Sequence, residues 1–209
     1  MRLKALHILL IKVVIHLAAL TPVLLTYWQA VNDQLGGDPV KAIIHFTGLG
    51  AVKLLLISLA ITPLALRFKQ GLLINVRRLL GLYAYFYAVL HLASYLIFEL
   101  QFEWGLFIKE IIERPYITVG MAAFIILTSL ALTSTKSIQR KLGQIWQKLH
   151  NWVYLAIILA VVHFYWSVKS GILEPAIYAG LTIILLSFRK QKLSLALKRR
   201  AKNKQKLKK

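Results

Sequence analysis

The chain has 209 residues, 58% of them apolar, and its 27 Lys and Arg stand against 7 Asp and Glu, a formal net charge of +20. Soluble domains average about 45–50% apolar residues, and disordered basic tails are poor in them. An apolar-rich and strongly basic chain excludes both and fits one integral membrane domain with its charge in the loops. The sequence holds no cysteine, which excludes disulfides, thiolate-bound zinc or iron–sulfur clusters, c-type haem attachment and a catalytic thiol.

Six apolar stretches approach the ~20 residues that a helix needs to cross a bilayer. They cover residues 8–28, 42–66, 79–98, 116–133, 146–167 and 176–188. The sixth is short and is expected to extend backward into the turn at 171–175. Arg2 and Lys4 resemble the start of a signal peptide, but the run that follows is long and ends on Tyr27 and Trp28. It reads as an uncleaved first helix. The fold class expected is an all-α integral membrane protein, a six-transmembrane-helix bundle over residues 1–188, followed by a basic cytoplasmic tail at 189–209.

Charge orders the loops. Asp33 and Asp38 lie in the first, Glu99, Glu103, Glu110 and Glu113 in the third, and Glu174 in the fifth. The second holds Arg67, Lys69, Arg77 and Arg78, the fourth Lys136, Arg140 and Lys141, and neither contains an acid. The tail adds eleven basic residues and no acid. Basic excess marks the cytoplasmic side, so both termini are expected inside. Tyr27, Trp28, Tyr165 and Trp166 then fall at outer helix ends and Trp146 at an inner end, where amphipathic rings favour the headgroup layer. The tail is read as a juxtamembrane segment that attracts anionic membrane lipid, with no nucleic acid partner.

Ionisable groups inside a bilayer are costly and need a reason. Those here are Lys12, His16, His45, Lys53, His91, His150 and His163. His91 lies thirteen residues past Arg78, and His163 thirteen past His150, so both sit in the outer half at comparable heights, roughly 20 Å from the inner boundary. Two histidines at one depth on two helices are what bis-imidazole ligation of a b-type haem iron requires. Tyr87, Leu90, Tyr95, Val162 and Phe164 are placed to shield such a group. His150 would lie about 140° around an ideal helix from His163, so it needs a different groove or a helix distortion. His16 is the one intramembrane histidine at a height to pair with it. For His7, His16 and His45 an interhelical hydrogen bond is the simpler role, with His16 and His45 kept as secondary cofactor-binding candidates. Lys12 is read as snorkelling inward, and Lys53 has no assigned role. Gly48-Leu49-Gly50 reads as close helix packing. No internal repeat, phosphate-binding glycine loop or H-E-x-x-H motif is visible.

Several segments together carry a likeness. They are Asp38-Pro39-Val40-Lys41 with His45-Phe46-Thr47-Gly48, Arg77-Arg78-Leu79-Leu80-Gly81-Leu82 with His91-Leu92, and Arg114-Pro115-Tyr116. Thr133-Ser134-Thr135 with Arg140-Lys141-Leu142-Gly143, and Leu149-His150-Asn151 with His163 and Trp166-Ser167-Val168-Lys169, complete the set. From His16 to about Arg189 the chain resembles the MsrQ (YedZ) family, haem-binding membrane subunits of the bacterial periplasmic methionine sulfoxide reductase system. The resemblance implies a ferric-reductase-like helical bundle in the inner membrane, with b-type haem on His91, His150 and His163. It also implies FMN, for which no residue is assigned. The protein would pass electrons from membrane quinol to the periplasmic molybdopterin-containing catalytic subunit, MsrP, rather than act as the catalytic subunit itself. About twenty residues follow the sixth stretch, too few for a dinucleotide-binding domain whose βαβ unit takes roughly 30. Electrons are therefore expected from a lipid-soluble carrier or a separate reductase. The competing reading is a proton-relay transporter or channel built on the intramembrane histidines. It predicts acidic residues within the spans and paired broken helices, and the sequence shows neither.

Overall fold

The structure is a computed structural model and describes residues 3–168 and 171–188. The basic tail expected at 189–209 lies outside the described residues, as does Lys169. Among the described residues the chain is helical throughout, without a strand.

Helices α1 (Ala5–Val31), α2 (Pro39–Arg67) and α3 (Arg77–Ser94) form the first half of the bundle. A 3₁₀ turn at Gly71–Val76 leads into α3, and a π-helical turn at Tyr95–Glu99 continues it. Helix α4 (Trp104–Glu113) is short, and α5 (Pro115–Leu132) follows directly. Two single-loop helices, α6 (Lys136–Leu142) and α7 (Gln144–His150), precede α8 (Val153–Ser167). The last described helix is α9 (Leu173–Phe188).

Five helical runs are long and apolar enough to cross a membrane: Ala5–Val31, Pro39–Arg67, Gly71–Glu99, Pro115–Leu132 and Gln144–Ser167. They coincide with the first five expected stretches. The sixth, α9, is apolar but shorter, and it does reach back from Ala176 to Leu173. The third loop, read as a plain connection, contains α4.

Local signals explain the helix limits. Asp38 Oδ1 accepts the Lys41 amide at 2.9 Å, with Pro39 in the first turn of α2, where no amide is missed. Arg114 is extended, as the residue before a proline must be, which ends α4 and lets Pro115 start α5. Within the spans, Thr26, Thr47, Thr128 and Thr182 turn their hydroxyls back to the carbonyl one turn earlier. That satisfies them where no water is present.

The bundle is two antiparallel hairpins, α2 with α3 and α5 with α8. Their shared core is Val52, Leu55, Leu56 and Leu59 of α2, Ala84 of α3, Leu127 of α5, and Ala156, Ile157 and Val161 of α8. Helix α1 leans on the first hairpin through Ala19 and Val23 against Tyr87. Most of its other apolar side chains are exposed, as lipid-facing residues are. One end of the bundle collects the acidic loops, and the opposite end collects Arg67, Arg77, Arg78 and Lys136.

Candidate functional site

A cavity of about 1120 Å³ opens between the two hairpins at the acidic end. Val52, Leu55 and Leu127, members of the shared core, form its floor. His91 and His163 face each other across it, and Asp38, Lys41, Glu99, Glu110, Arg114 and Glu174 surround its mouth. A space above the ~300–1,000 Å³ usual for small-ligand pockets, apolar below and charged at the rim, suits a large amphipathic group.

The two histidines are held alike. His91 Nδ1 bonds the Ile44 carbonyl at 2.9 Å, and His163 Nδ1 bonds the Tyr116 carbonyl at 2.7 Å. Each histidine follows its carbonyl by 47 residues. One turn after each carbonyl stands a glycine, Gly48 on α2 and Gly120 on α5. A Cβ on Gly48 would come within 2.9 Å of His91 Nδ1, and one on Gly120 within 2.7 Å of His163 Nδ1. Both imidazoles therefore bring their Nδ1 edge against bare backbone, a close approach that only glycine allows. The two hairpins thus repeat one device, a correspondence the sequence analysis did not see.

With Nδ1 of each ring bonded to backbone, Nε2 is the nitrogen left for the cavity. The ring centres are 6.1 Å apart and the planes 80° to one another. A metal–imidazole bond of about 2.0 Å, plus ~1.1 Å from nitrogen to ring centre on each side, spaces two coaxial ligands at about 6.2 Å. The observed spacing fits one metal ion between the rings. Among the described residues, no group of three or more His, Cys, Asp or Glu converges on a metal. An ion held here has two donors from the described residues, His91 and His163.

Of the other candidate histidines only His45 lines this cavity among the described residues. His150 stacks on Trp146, ring centres 4.0 Å apart, and its Nε2 is 3.1 Å from Thr133 Oγ1. It ends α7, and a turn at Asn151–Trp152 separates it from α8. It does not line the cavity. His16 Nδ1 pairs with the Tyr83 hydroxyl at 2.6 Å between α1 and α3. His45 lines the cavity rim, where its Nε2 lies 3.5 Å from Glu174 Oε2, tying α2 to α9. His7 Nδ1 accepts the Lys4 amide at 3.1 Å. Lys53 is exposed on α2.

Of the residues expected to shield the site, Tyr95 and Phe164 line the cavity. Tyr87 packs on Gly50, where a Cβ would strike its ring, and donates to the Ala19 carbonyl at 2.8 Å. Gly50 is thus the packing residue that Gly48-Leu49-Gly50 was read as, while Gly48 seats a histidine.

A polar chain crosses the mouth. Glu110 accepts from the Tyr95 hydroxyl at 3.2 Å and from Arg114 Nε at 2.8 Å. Arg114 also donates to the Tyr116 hydroxyl at 3.2 Å, and Tyr116 supplies the carbonyl that holds His163. From the sequence Glu110 is a loop charge, and Arg114 belongs to the segment Arg114-Pro115-Tyr116 that carries the likeness, with no site role for either.

Among known families, the model of the ferric reductase like transmembrane component matches residues 42–161, which takes in most of α2, all of α3 and α5, and most of α8.

Proposed function

From the premise that the chain belongs to the family of the ferric reductase like transmembrane component, a multi-pass membrane family associated with electron transfer, we propose that it carries electrons on a b-type haem held between His91 and His163. The observation that carries this reading is the pair of imidazoles at 6.1 Å, both fixed through Nδ1 and both facing one cavity. Bound there, the haem supplies a one-electron carrier cycling between ferric and ferrous iron.

The chain's own contribution is positional. Backbone acceptors fix the tautomer and ring orientation of each ligand and raise its basicity. Gly48 and Gly120 let the rings reach their depth. The floor of Val52, Leu55 and Leu127 excludes water, which together with the imidazole pair sets the potential. The charged rim, with Lys41 and Arg114 among its cations, matches the propionate edge of a haem.

The finer reading rests on the resemblance described above. It makes the protein a bacterial inner-membrane subunit taking electrons from membrane quinol and delivering them to a periplasmic methionine sulfoxide reductase catalytic subunit. The charge pattern supports the orientation: the cavity lies at the acidic end, which the positive-inside rule puts outside, next to a periplasmic acceptor. His150 is kept as a separate inner candidate, and FMN is assigned to no residue.

Protein purified from haem-replete cells should be red, with a Soret band that shifts on dithionite reduction. Reconstituted with quinol and the purified catalytic subunit, it should be reduced by the first and reoxidised by the second. A colourless preparation overturns the haem reading. A red one that quinol cannot reduce overturns only the assigned donor.

A further inference from the structure

Helix α4 does not continue either span that flanks it. On its N-terminal side the π-helical turn at Tyr95–Glu99 ends α3, and two successive non-glycine residues, Gln101 and Phe102, take left-handed φ of 47° and 63°. Side chains with a Cβ rarely adopt that conformation, and two in a row redirect the chain sharply. On its C-terminal side the extended Arg114 and Pro115 break the chain again. The ten residues between carry three distinct faces.

Leu106, Phe107 and Glu110 point into the cavity. Lys109 and Glu113 form a polar face, exposed and 4.0 Å apart. Trp104, Ile108 and Ile112, spaced by four, make a stripe that no other described element covers, with exposures of 59%, 59% and 74%. Such a stripe needs an occupant. The neighbouring surface identifies it. Phe102 meets Trp104, ring centres 6.4 Å apart, Ile97 and Phe98 are exposed on the π-helical turn just before it, and Trp28, Tyr165 and Trp166 are exposed at the acidic-loop ends of α1 and α8. These rings form the belt that amphipathic aromatics make at a membrane surface, and α4 is continuous with it.

We propose that α4 is an in-plane interfacial helix whose Trp104–Ile108–Ile112 stripe docks into the outer headgroup layer of the lipid bilayer, roofing the cavity mouth with Leu106, Phe107 and Glu110. Apolar burial to the acyl boundary with charged residues toward water is how amphipathic helices bind membranes. The lipid thereby becomes one wall of the site's entrance, leaving the rim at the half-exposed Arg114 as the side open to water. This inference does not require the haem.

The chain has no native cysteine, so single substitutions Ile108→Cys, Lys109→Cys, Ile112→Cys and Glu113→Cys each accept one nitroxide label. The full-length protein would be reconstituted in vesicles of phosphatidylethanolamine and phosphatidylglycerol. Relaxation by oxygen, which concentrates in lipid, would be compared with relaxation by a water-soluble nickel chelate. Labels at 108 and 112 should respond to oxygen, and those at 109 and 113 to nickel. Nickel access at all four positions overturns the proposal. So does shielding of 108 and 112 from both probes, which would mean that a protein surface covers the stripe. If one of the apolar variants fails to fold, the other, read against 109 and 113, still decides.

Discussion

His91 and His163 stand with their ring planes 80° apart, each clamped through Nδ1 to the other helix of its own hairpin. Neither ring can rotate toward the other without losing that bond and leaving a backbone carbonyl short of a partner. The interplanar angle is therefore a property of the bundle. With a haem iron held between them, two nearly perpendicular imidazole planes would leave the iron dxz and dyz orbitals close in energy, where parallel planes would separate them. The ferric protein should show a strongly anisotropic low-spin EPR signal with one large g value, rather than the rhombic signal of parallel rings. His91→Ala and His163→Ala should each abolish it, with loss of most bound haem. Retention of full haem content with an unchanged signal in either variant would falsify the ligand assignment.

Gly48 and Gly120 should behave as a matched pair. A methyl group at either position meets the imidazole it seats, at 2.9 Å and 2.7 Å from Nδ1, and the flat ring has a backbone bond to hold it in place. Groups that orient a metal ligand typically contribute about 10–100-fold to affinity. Gly48→Ala and Gly120→Ala are each expected to weaken haem retention by about that factor. Haem content after dialysis against apomyoglobin measures it. Gly50→Ala offers a contrast. Its Cβ meets Tyr87 rather than a ligand, so it should lower stability in a thermal melt while the spectrum of the remaining folded protein stays unchanged.

The first five spans were legible because their signal is redundant: length and hydropathy mark the same segments. The His91 and His163 pair was legible through depth, since helical rise converts residue count into height. What failed was rotation and environment. Depth alone could not say that His150 would stack on Trp146 or that His45 would meet Glu174. Both depend on breaks, at Asn151–Trp152 and at the start of α9, that hydropathy does not register. Helix α4 was missed because ten residues with charges on two faces read as a loop. The repeated 47-residue spacing from Ile44 to His91 and from Tyr116 to His163 was present in the sequence. It could be recognised only once a backbone carbonyl, which carries no sequence signature, was known to be the partner.

The remaining histidines should separate cleanly from the pair. His45 and Glu174 are each about half exposed, 48% and 45%, and such ion pairs contribute about 0–1 kcal/mol. His16 offers Tyr83 one interhelical hydrogen bond, and bonds of that kind average about 0.6 kcal/mol in membranes. His45→Ala and His16→Ala should therefore cost little stability and leave the EPR signal of the His91–His163 site in place. His150→Ala should also leave that signal intact, since its partners are Thr133 and Trp146. Any haem it loses would be a second population with its own spectrum. Disappearance of the anisotropic signal in His150→Ala would place His150 at the same iron, against the geometry.

The Glu110 and Arg114 network gives a test by sign. Glu110 is 12% exposed on its side chain and Arg114 52%, so the carboxylate lies inward of the guanidinium, and both line the cavity with His163. A negative charge near an iron centre favours the ferric state, and a positive charge favours the ferrous state. Glu110→Gln keeps an acceptor for the Tyr95 hydroxyl but removes the charge, and should raise the midpoint potential. Arg114→Gln removes the opposite charge and should lower it. Through the screened interior each shift is on the order of tens of millivolts, read by redox titration of the Soret band. Glu110→Ala adds a structural cost, because it strands the Tyr95 hydroxyl, about 1–3 kcal/mol for a half-buried donor left in this way, while Arg114 keeps the Tyr116 hydroxyl. A pair of shifts with the same sign in Glu110→Gln and Arg114→Gln would mean that the network serves only to hold α4 over the mouth. Opposite signs would show that its charges act on the iron directly.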